Sequence, residues 1–315
     1  MDFFKTWVIC LDMSLTDNYI IRNVANLADK FQPETLHFVH ITHKPDIPDE
    51  VLRDIPDLQI PELTYYRSKI QDYIDGHFTA DYHIKIHVVE GNPFTELLRL
   101  INKLPCDLII VGNKGNENQG VITRKLTRKA PCSVLFLPEL FKESIDTIVV
   151  PTDFSDYSEM ALKMSQTIAE KYDKCNVHIL HVYKDSSKYL SQIFETVHEV
   201  DQILVKRRTI DEKLTTYARH KLDTYLEKFK KEGYDFIPHI TSIDRGKEIG
   251  NAIDEWIKDN TPDLVIIGAK GQSAASAVLL GSVSEQVYTK GSDYLLMIIK
   301  RKGENKSLLK ALLRT

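Results

Sequence analysis

Short apolar runs alternate with amphipathic segments along most of the chain. In the second half, apolar runs such as VHILHVY (177–183) and LVIIG (264–268) are separated by segments of helical periodicity such as SEMALKMSQTIAEKYD (158–173). This alternation is typical of βαβ units, because crossover helices cover both faces of a parallel sheet and leave its strands apolar. The pattern therefore predicts an α/β fold with right-handed crossovers.

The apolar pattern occurs twice. WVICLDMS (7–14) and IVVPTDFS (148–155) are each a short strand ending in an aspartate, and the aspartates Asp12 and Asp153 lie 141 residues apart. The same offset places LHFVHIT on VHILHVY, and CDLIIVGNKG matches PDLVIIGAKG at an offset of 156. Three matched blocks in the same order indicate two copies of one domain. We predict two tandem, doubly wound, five-stranded and mainly parallel sheets, in domains 1–142 and 143–300, followed by a basic tail, 301–315.

The second copy gives the clearest prediction of individual elements. Its strands are predicted at 147–150, 177–183, 239–243, 264–268 and 294–300, and its helices at 158–173, 247–260 and 282–290. In the first copy, a helix is predicted at 63–76 and a half-exposed strand at 81–88.

A long charged segment (184–232) separates the second and third strands of copy two. Thr209 and Glu212 form a capping-box pattern that predicts the start of a second helix, ending at Gly233. Two interpretations stay open, a helical pair that covers the sheet and an arm that binds a partner. The preceding helix is predicted from apolar residues at helical spacing, namely Leu190, Ile193, Phe194, Val197, Val200 and Leu204.

Composition excludes several classes of protein. A formal charge of −4 and a pI near 6.3 argue against a nucleic-acid-binding protein. The four cysteines form no C-x-x-C pair, which indicates reduced thiols rather than a disulfide framework or a zinc site. No apolar run approaches the ~20 residues that span a bilayer, and Asp12 interrupts the apolar N-terminal run. We therefore expect a cytoplasmic protein that binds neither membrane nor nucleic acid.

Histidines recur in the predicted second strand of each copy. His37 and His40, like His178 and His181, are three residues apart, so the members of a pair point to opposite faces of a strand. Neither pair can chelate one ion, and we predict packed or hydrogen-bonded side chains. The sequence shows no Ser/His/Asp set and no paired carboxylates at catalytic spacing.

A glycine pattern follows the predicted strand LVIIG. Gly268-x2-Gly271-x9-Gly281-Ser282 begins at the carboxyl end of that strand, the edge at which parallel α/β sheets bind ligands. Glycines let a ligand approach the backbone, and a helix that starts near Ser282 would favour an anion. The pattern is neither a Walker loop nor a Rossmann G-x-G-x-x-G. The glycines alone leave a simple turn and a phosphate site as equal alternatives.

Together with its surroundings, this pattern resembles the universal stress protein family. The spacing matches that family's ATP-binding signature in full, and PTDFS (151–155), His181-Val182 and APC (130–132) resemble its other conserved blocks. The resemblance extends over both copies, to about residue 300. It implies a Rossmann-like fold of the adenine nucleotide alpha-hydrolase type and a tandem, two-domain member that binds ATP.

The resemblance also implies a role for each matching residue. Asp153 would lie near the ribose and phosphates, where a magnesium ion bound to the nucleotide would sit. The other implied contacts are Pro151, Thr152 and Val182 around adenine and ribose, Ile267 and Gly268 on the opposite side, and Gly271, Gly281, Ser282, Val283 and Ser284 at the phosphates.

The first copy departs from this pattern. Its GNKGNENQGV (112–121) keeps Gly112 and Gly115, but Gly120 aligns with Gly281 after a spacing five residues shorter, and Val121 replaces the serine. Glu117 would repel a triphosphate, although Arg124 and Lys125 would still attract an anion. We therefore predict one nucleotide site per chain, in copy two.

The sequence thus favours an ATP-binding stress-response protein, a regulatory switch with slow or absent hydrolysis. A nucleotide-independent interaction scaffold that uses segment 184–232 and a weak ATPase are the alternatives. The family resemblance implies association through the last strand of each domain. The two copies would then form an internal pseudo-dimer, a second chain would add a homodimer, and the protein partner stays unidentified.

Overall fold

The computed structural model describes residues 4–42, 51, 62–113, 121–139, 142–187, 200–244, 246–272, 280–290 and 293–304. The chain divides into two compact units, the first running to Glu143 and the second beginning at Ser144, with Lys300 onward grouped with the first. Each unit is a parallel sheet with helical crossovers, which confirms the predicted α/β class.

The first unit has five parallel strands in the order 3-2-1-4-5. Each strand is joined to the next along the chain by a crossover, as a parallel sheet requires. The strands are β1 (Thr6–Leu11), β2 (Thr35–Thr42), β3 (His83–Glu90), β4 (Leu108–Asn113) and β5 (Ser133–Pro138), and the described helices are α1 (Asp17–Phe31), α2 (Leu63–His77), α3 (Pro93–Lys103) and α4 (Val121–Lys129).

The second unit repeats this topology. Its strands are β6 (Thr147–Pro151), β7 (Asn176–Lys184), β8 (Ile237–Ile243), β9 (Leu264–Gly268) and β10 (Leu295–Ile299), and its described helices are α5 (Asp156–Ala169), α6 (Val200–Lys230), α7 (Ile249–Asn260) and α8 (Ser282–Lys290). The order is β10-β9-β6-β7-β8, all parallel. The chain order reverses between β6 and β9, so the switch point, where such sheets bind ligands, lies at the carboxyl ends of these two strands.

Burial explains why the strands were predictable. All five residues of β9 and of β10 are buried, as expected for parallel strands covered on both faces. Helix starts carry the expected capping residues. Ser155 accepts a hydrogen bond from the Ser158 N–H at the start of α5, and Asn92 accepts one from the Thr95 N–H at the start of α3.

The long helix α6 differs from its prediction. It runs without interruption through Thr209, whose hydroxyl donates to the Val205 carbonyl at 3.0 Å, so the predicted helix start at Thr209 is wrong. The capping-box pattern gave a wrong prediction because, inside a helix, a threonine hydroxyl can instead donate to a backbone carbonyl of the preceding turn. Leu204 is 57% exposed, so at this residue the helix does not support the interpretation that it covers the sheet. Leu190, Ile193, Phe194 and Val197 lie outside the described residues.

The C-terminal half of α6 does cover the sheet. A stripe at helical spacing is buried and the helix contacts β7 and β8, which supports the covering interpretation for this half. Gly233, in a left-handed conformation at φ +87°, follows the end of the helix as predicted. The buried stripe consists of Ala218, Leu222, Leu226 and Phe229.

The strand histidines are hydrogen-bonded in both units, as predicted. Nδ1 of His40 donates to the Leu11 carbonyl at 3.1 Å, and Nδ1 of His181 donates to the Thr152 carbonyl at 3.0 Å. The other member of each pair bonds a histidine on the neighbouring strand, with nitrogen–nitrogen distances of 2.9 and 2.7 Å. These pairs are His37 with His87 and His178 with His239.

Among the described helices, none is long and apolar enough to cross a membrane. Of the predicted basic tail, 301–304 are described and 305–315 lie outside the described residues.

Candidate nucleotide site

The chain leaves β6 through a tight turn at Thr152–Ser155. Phe154 has φ +67°, a left-handed conformation that residues other than glycine rarely adopt. Two local hydrogen bonds hold the turn, from the Phe154 N–H to Thr152 Oγ1 at 3.2 Å and from the Ser155 N–H to Asp153 Oδ1 at 3.0 Å. Aspartate favours such turns because its carboxylate accepts from the backbone two residues on.

The Asp153 carboxylate joins this turn to the glycine loop. Its Oδ1 also accepts from the Ser158 hydroxyl at 2.8 Å, and its Oδ2 accepts from the Gln272 N–H at 2.8 Å. Burial would raise the pKa of Asp153, but hydrogen bonds from Ser155, Ser158 and Gln272 outweigh it and lower the pKa below its usual value. The carboxylate is therefore ionised at neutral pH and holds two segments that are far apart in the chain.

Close packing requires glycine at two positions of the motif. A Cβ on Gly271 would lie 2.5 Å from Asp153 Oδ2, and a Cβ on Gly268 would lie 2.7 Å from Tyr157 Cβ. Gly281 closes the far end of the loop, since its N–H donates to the Ala269 carbonyl at 2.7 Å. The two ends of the motif are thus adjacent, while residues 273–279 between them lie outside the described part of the chain.

Helix α8 begins at this point with Ser282, Val283 and Ser284. The N–H groups of a helix's first turn have no acceptor within the helix, and with the helix dipole they favour an anion. The Ser284 hydroxyl donates to the Gly268 carbonyl at 2.6 Å, so it fixes the helix on β9. Its side chain therefore has a structural bond, and Ser282 is left as the hydroxyl at the helix start.

The remaining predicted residues lie at the carboxyl ends of β6, β7 and β9. Pro151 ends β6 and Thr152 follows it, Val182 lies near the end of β7, and Ile267 is the penultimate residue of β9. All four are buried. The backbone of Thr152 is fully used, because its N–H donates to Leu180 and its carbonyl accepts from His181. The structure therefore brings the predicted site residues together at the β6/β9 switch point and the start of α8.

Sequence reasoning missed Ser158 and its counterpart in the first unit. The repeat offset of 141 places Asp17 on Ser158, and each side chain accepts the backbone N–H of the strand-end aspartate five residues earlier. Asp17 is buried and accepts from the Met13 N–H at 2.7 Å, while Asp12 accepts from the Ser14 N–H at 3.1 Å. Extending the repeat alignment five residues beyond each aspartate would have identified this difference.

The rest of the first unit's motif is only partly described. Gly112 lies within β4, where a Cβ would meet the end of the Ile20 side chain, 2.6 Å from Cδ1. Gly115, Glu117 and Gly120 lie outside the described residues. Arg124 and Lys125 are on α4, and Lys125 Nζ lies 5.8 Å from the Phe94 ring centre.

These features define a tandem doubly wound α/β protein with a glycine-rich strand-to-helix loop at a switch point. The model of the universal stress protein family matches residues 4–138 and again 144–292. The chain therefore belongs to the universal stress protein family and contains two of its domains.

Individual relatives agree with this assignment. Universal stress protein MJ0577 of Methanocaldococcus jannaschii is 28% identical over 166 residues, half of this chain and 95% of that protein. Universal stress protein MJ0531 of the same organism is 27% identical over 157 residues, covering 84% of its length. A solved universal stress protein from Archaeoglobus fulgidus shares the fold at a TM-score of 0.66 and 16% identity, over 94% of this chain and 98% of its own.

Proposed function

We propose that the second unit binds one adenine nucleotide, ATP, and acts as a regulatory switch in a stress response. The observation that carries the proposal is the bond from the Gln272 N–H to Asp153 Oδ2. Through it, the β6 turn and the first glycines of the ATP-type motif form one structural unit beside the start of α8.

The phosphates would lie against the start of α8. Because Gly281 has no side chain, a ligand can approach the backbone closely there. Ser282 supplies a hydroxyl, and the first-turn N–H groups of Ser282, Val283 and Ser284 supply hydrogen-bond donors. Gly271 is adjacent, and because it has no Cβ, Asp153 Oδ2 can lie beside it without a steric clash. These groups suit a polyanion that is held mainly by backbone donors.

The base and ribose would lie toward β6 and β7. Pro151, Val182 and Ile267 give this part an apolar lining, which suits a purine. Each carboxylate oxygen accepts about two hydrogen bonds. Among the described residues, Oδ1 of Asp153 accepts from the Ser155 N–H and the Ser158 hydroxyl, and Oδ2 accepts from the Gln272 N–H. We propose that Oδ2 faces a ribose hydroxyl or water on a nucleotide-bound magnesium ion.

Magnesium would arrive with the nucleotide. Carboxylate oxygen is a ligand that Mg²⁺ prefers, so Asp153 fits the ion. In the part of the chain that the structure describes, however, no three His, Cys, Asp or Glu side chains converge on a metal position. When bound, the ion would neutralise phosphate charge, and the nucleotide itself would supply most of its ligands.

Slow or absent hydrolysis is part of the proposal. A carboxylate with a lowered pKa is a weak general base, because proton affinity and basicity change together. Asp153 therefore suits holding a ligand better than activating water. Occupancy would then favour one conformation of the protein by linkage.

The cellular compartment and the oligomeric state are proposed from the cysteines and from family membership. All four cysteines are free thiols, which suits a reducing compartment such as the cytoplasm. Family membership supports association through the last strand of each domain, and we propose that two chains also associate as a homodimer. Light scattering at several protein concentrations would test the dimer.

Two measurements test nucleotide binding. Mass spectrometry of small molecules released from freshly purified protein should detect an adenine nucleotide. In calorimetry, the Gly281→Val, Ser282→Val double variant should lose ATP binding, because it adds bulk and removes the hydroxyl at the helix start. The matched change Gly120→Val in the first copy should leave binding intact. Absence of both bound nucleotide and ATP binding in the wild-type protein would refute the proposal.

A further inference from the structure

The C-terminal half of α6 lies directly on the Asp153–Phe154 turn. The Phe154 ring centre is 4.4 Å from that of His181 and 5.1 Å from that of Tyr225 on α6. Lys221, one turn earlier on α6, places Nζ 4.4 Å from the Phe154 ring centre, within cation–π range. The residue that follows Asp153 is thus enclosed by a strand histidine and two side chains of α6.

This half of α6 is itself firmly docked. Lys228 Nζ pairs with Glu159 of α5 at 2.5 Å, and the Thr215 hydroxyl bonds the Tyr183 hydroxyl of β7 at 2.7 Å. The Tyr225 and Phe229 rings pack edge to face at 5.6 Å. A change in the Phe154 turn therefore has to displace, or be resisted by, this part of α6.

The turn needs such support. Phe154 is in a left-handed conformation, which costs a residue with a side chain and persists where surrounding contacts enforce it. The Phe154 and Ser155 backbone also sets the direction of Asp153, because the Ser155 N–H holds Asp153 Oδ1. Side chains that fix the Phe154 ring consequently fix the carboxylate that would face the nucleotide.

We propose that Lys221 and Tyr225 are positioning residues of the nucleotide site, and that nucleotide binding and the order of α6 residues 215–229 are reciprocally coupled. The inference rests on the proposed function and adds its regulation. By linkage, an element that stabilises the binding-competent turn is stabilised equally by the ligand. A partner that binds α6 would then change the affinity of the site for the nucleotide.

The Tyr225 hydroxyl separates the role of the ring from that of the polar group. It is buried near the Thr152 side chain, and it forms no hydrogen bond of ordinary geometry with the described residues. Burial, helped by the nearby Glu159 carboxylate, raises the pKa of Tyr225, so the hydroxyl is neutral. Tyr225→Phe should therefore keep the packing on Phe154, while Tyr225→Ala removes it.

Calorimetry with ATP and with adenosine tests the positioning role. Lys221→Ala should weaken both ligands about 2- to 5-fold, the value of one exposed cation–π contact. Tyr225→Ala and Phe154→Gly should weaken both by about 10-fold or more; glycine removes the ring without straining the left-handed backbone. Tyr225→Phe and Lys221→Arg should retain wild-type affinity. Lys213→Ala on the same helix is the matched charge control and should also match the wild type, since exposed Lys213 contacts none of the site residues described here.

Hydrogen exchange on the full chain tests the coupling. ATP should slow exchange of amides in 215–229 of the wild-type protein, and Lys221→Ala should reduce that protection. If the wild-type protein binds ATP, any of three results would overturn the proposal. The first is that ATP leaves amide exchange in 215–229 unchanged, and the second is that Lys221→Ala and Lys213→Ala bind ATP with equal affinity. The third is that Lys221→Ala weakens the binding of ATP and not that of adenosine. The last would mean that the ammonium group only attracts phosphate. Lys221 is exposed, so its variant should fold even if Tyr225→Ala does not. Wild-type protein that binds no nucleotide would instead refute the proposed function itself.

Discussion

The turn after β1 and the turn after β6 are the same structure with one decisive difference. Both place a residue other than glycine in the left-handed region, Met13 at φ +61° and Phe154 at φ +67°. In both, the strand-end aspartate accepts the N–H two residues on. Five residues beyond that aspartate, however, the first unit has the buried carboxylate of Asp17, and the second has the hydroxyl of Ser158.

The difference separates what the fold needs from what the proposed nucleotide site needs. A strand-to-helix turn forms equally well over a carboxylate or a hydroxyl, because both can accept a backbone N–H. The Ser158 hydroxyl can also donate to Asp153, so the single negative charge in the second turn is stabilised by hydrogen bonds. An ionised Asp17 beside Asp12 would repel phosphate, so we expect charge as well as loop length to distinguish the copies.

The largest effect should come from making the second turn resemble the first. Ser158→Asp removes the donor to Asp153 and adds a negative charge, so we expect ATP affinity measured by calorimetry to fall about 100-fold. Ser158→Ala removes the donor alone and should cost about 10-fold. Equal losses for the two variants would show that the added charge is unimportant and would weaken the comparison.

A smaller loss should follow from filling the space at Gly271. In Gly271→Ala the new Cβ would meet Asp153 Oδ2 and displace it from the Gln272 N–H, so ATP should bind about 10- to 30-fold more weakly. Gly246→Ala is the control: its site is left-handed, at φ +92°, with open space around the added atom, and it lies outside α6. It should lower thermal stability and leave ATP affinity unchanged. Normal binding by Gly271→Ala would contradict the role given to Asp153.

Both units should lose stability in mild acid through their paired histidines. Burial, with His87, Lys85 and His83 nearby, lowers the pKa of His37 to about 4, and burial also lowers the pKa of His87. The unfolded chain therefore binds more protons between about pH 6.5 and 4. The stabilisation is complete above pH 6.5 and is lost as pH falls, by about 1–3 kcal/mol for His37.

The histidine pairs also allow the units to be compared. Burial lowers the pKa of His178 and of His239, but the Trp256 ring lies 5.3 Å from His239 and would partly stabilise a cation. In urea titrations across this pH range, His37→Gln with His87→Gln should flatten the pH dependence more than His178→Gln with His239→Gln. The reverse order would show that burial of His37 is not the main cause.

The smallest expected effect concerns Thr209. Inside a continuous α6, Thr209→Ala should leave the free energy of unfolding unchanged or raise it by up to about 0.5 kcal/mol, because alanine is the better helix former. At a helix start, the same substitution would cost about 1 kcal/mol. Urea denaturation distinguishes the two, and a clear loss would restore the helix break predicted from the sequence.

Strands were easier to predict than the helices around them. β9 has the predicted bounds and β10 lies within its predicted range, because buried parallel strands are continuous apolar runs with few alternatives. The end of α6 at Gly233 was also predictable from glycine's tolerance of the left-handed conformation. Its course through Thr209 was not, since a side-chain hydroxyl can cap a helix or bond the preceding turn, and the local sequence does not decide between them.

The candidate site was predictable only where spacing carries the information. Gly268, Gly271 and Gly281 follow a recognisable pattern, and the structure adds close contacts that require the first two. Ser158 belongs to no such pattern, because its role depends on the approach of α5 to Asp153 in space. Ser284 was assigned to phosphate, yet its hydroxyl binds the Gly268 carbonyl, a contact that appears only when α8 is placed against β9.

The central claim, that one unit of the two is built for a nucleotide, is tested most directly by the stoichiometry of ATP binding. Calorimetric titration of the intact chain should give one site per chain, and Ser158→Asp should weaken that site about 100-fold. The conservative change Asp12→Asn in the first unit should leave it unaltered. Two equivalent sites per chain, or a single site weakened by Asp12→Asn and not by Ser158→Asp, would contradict the account.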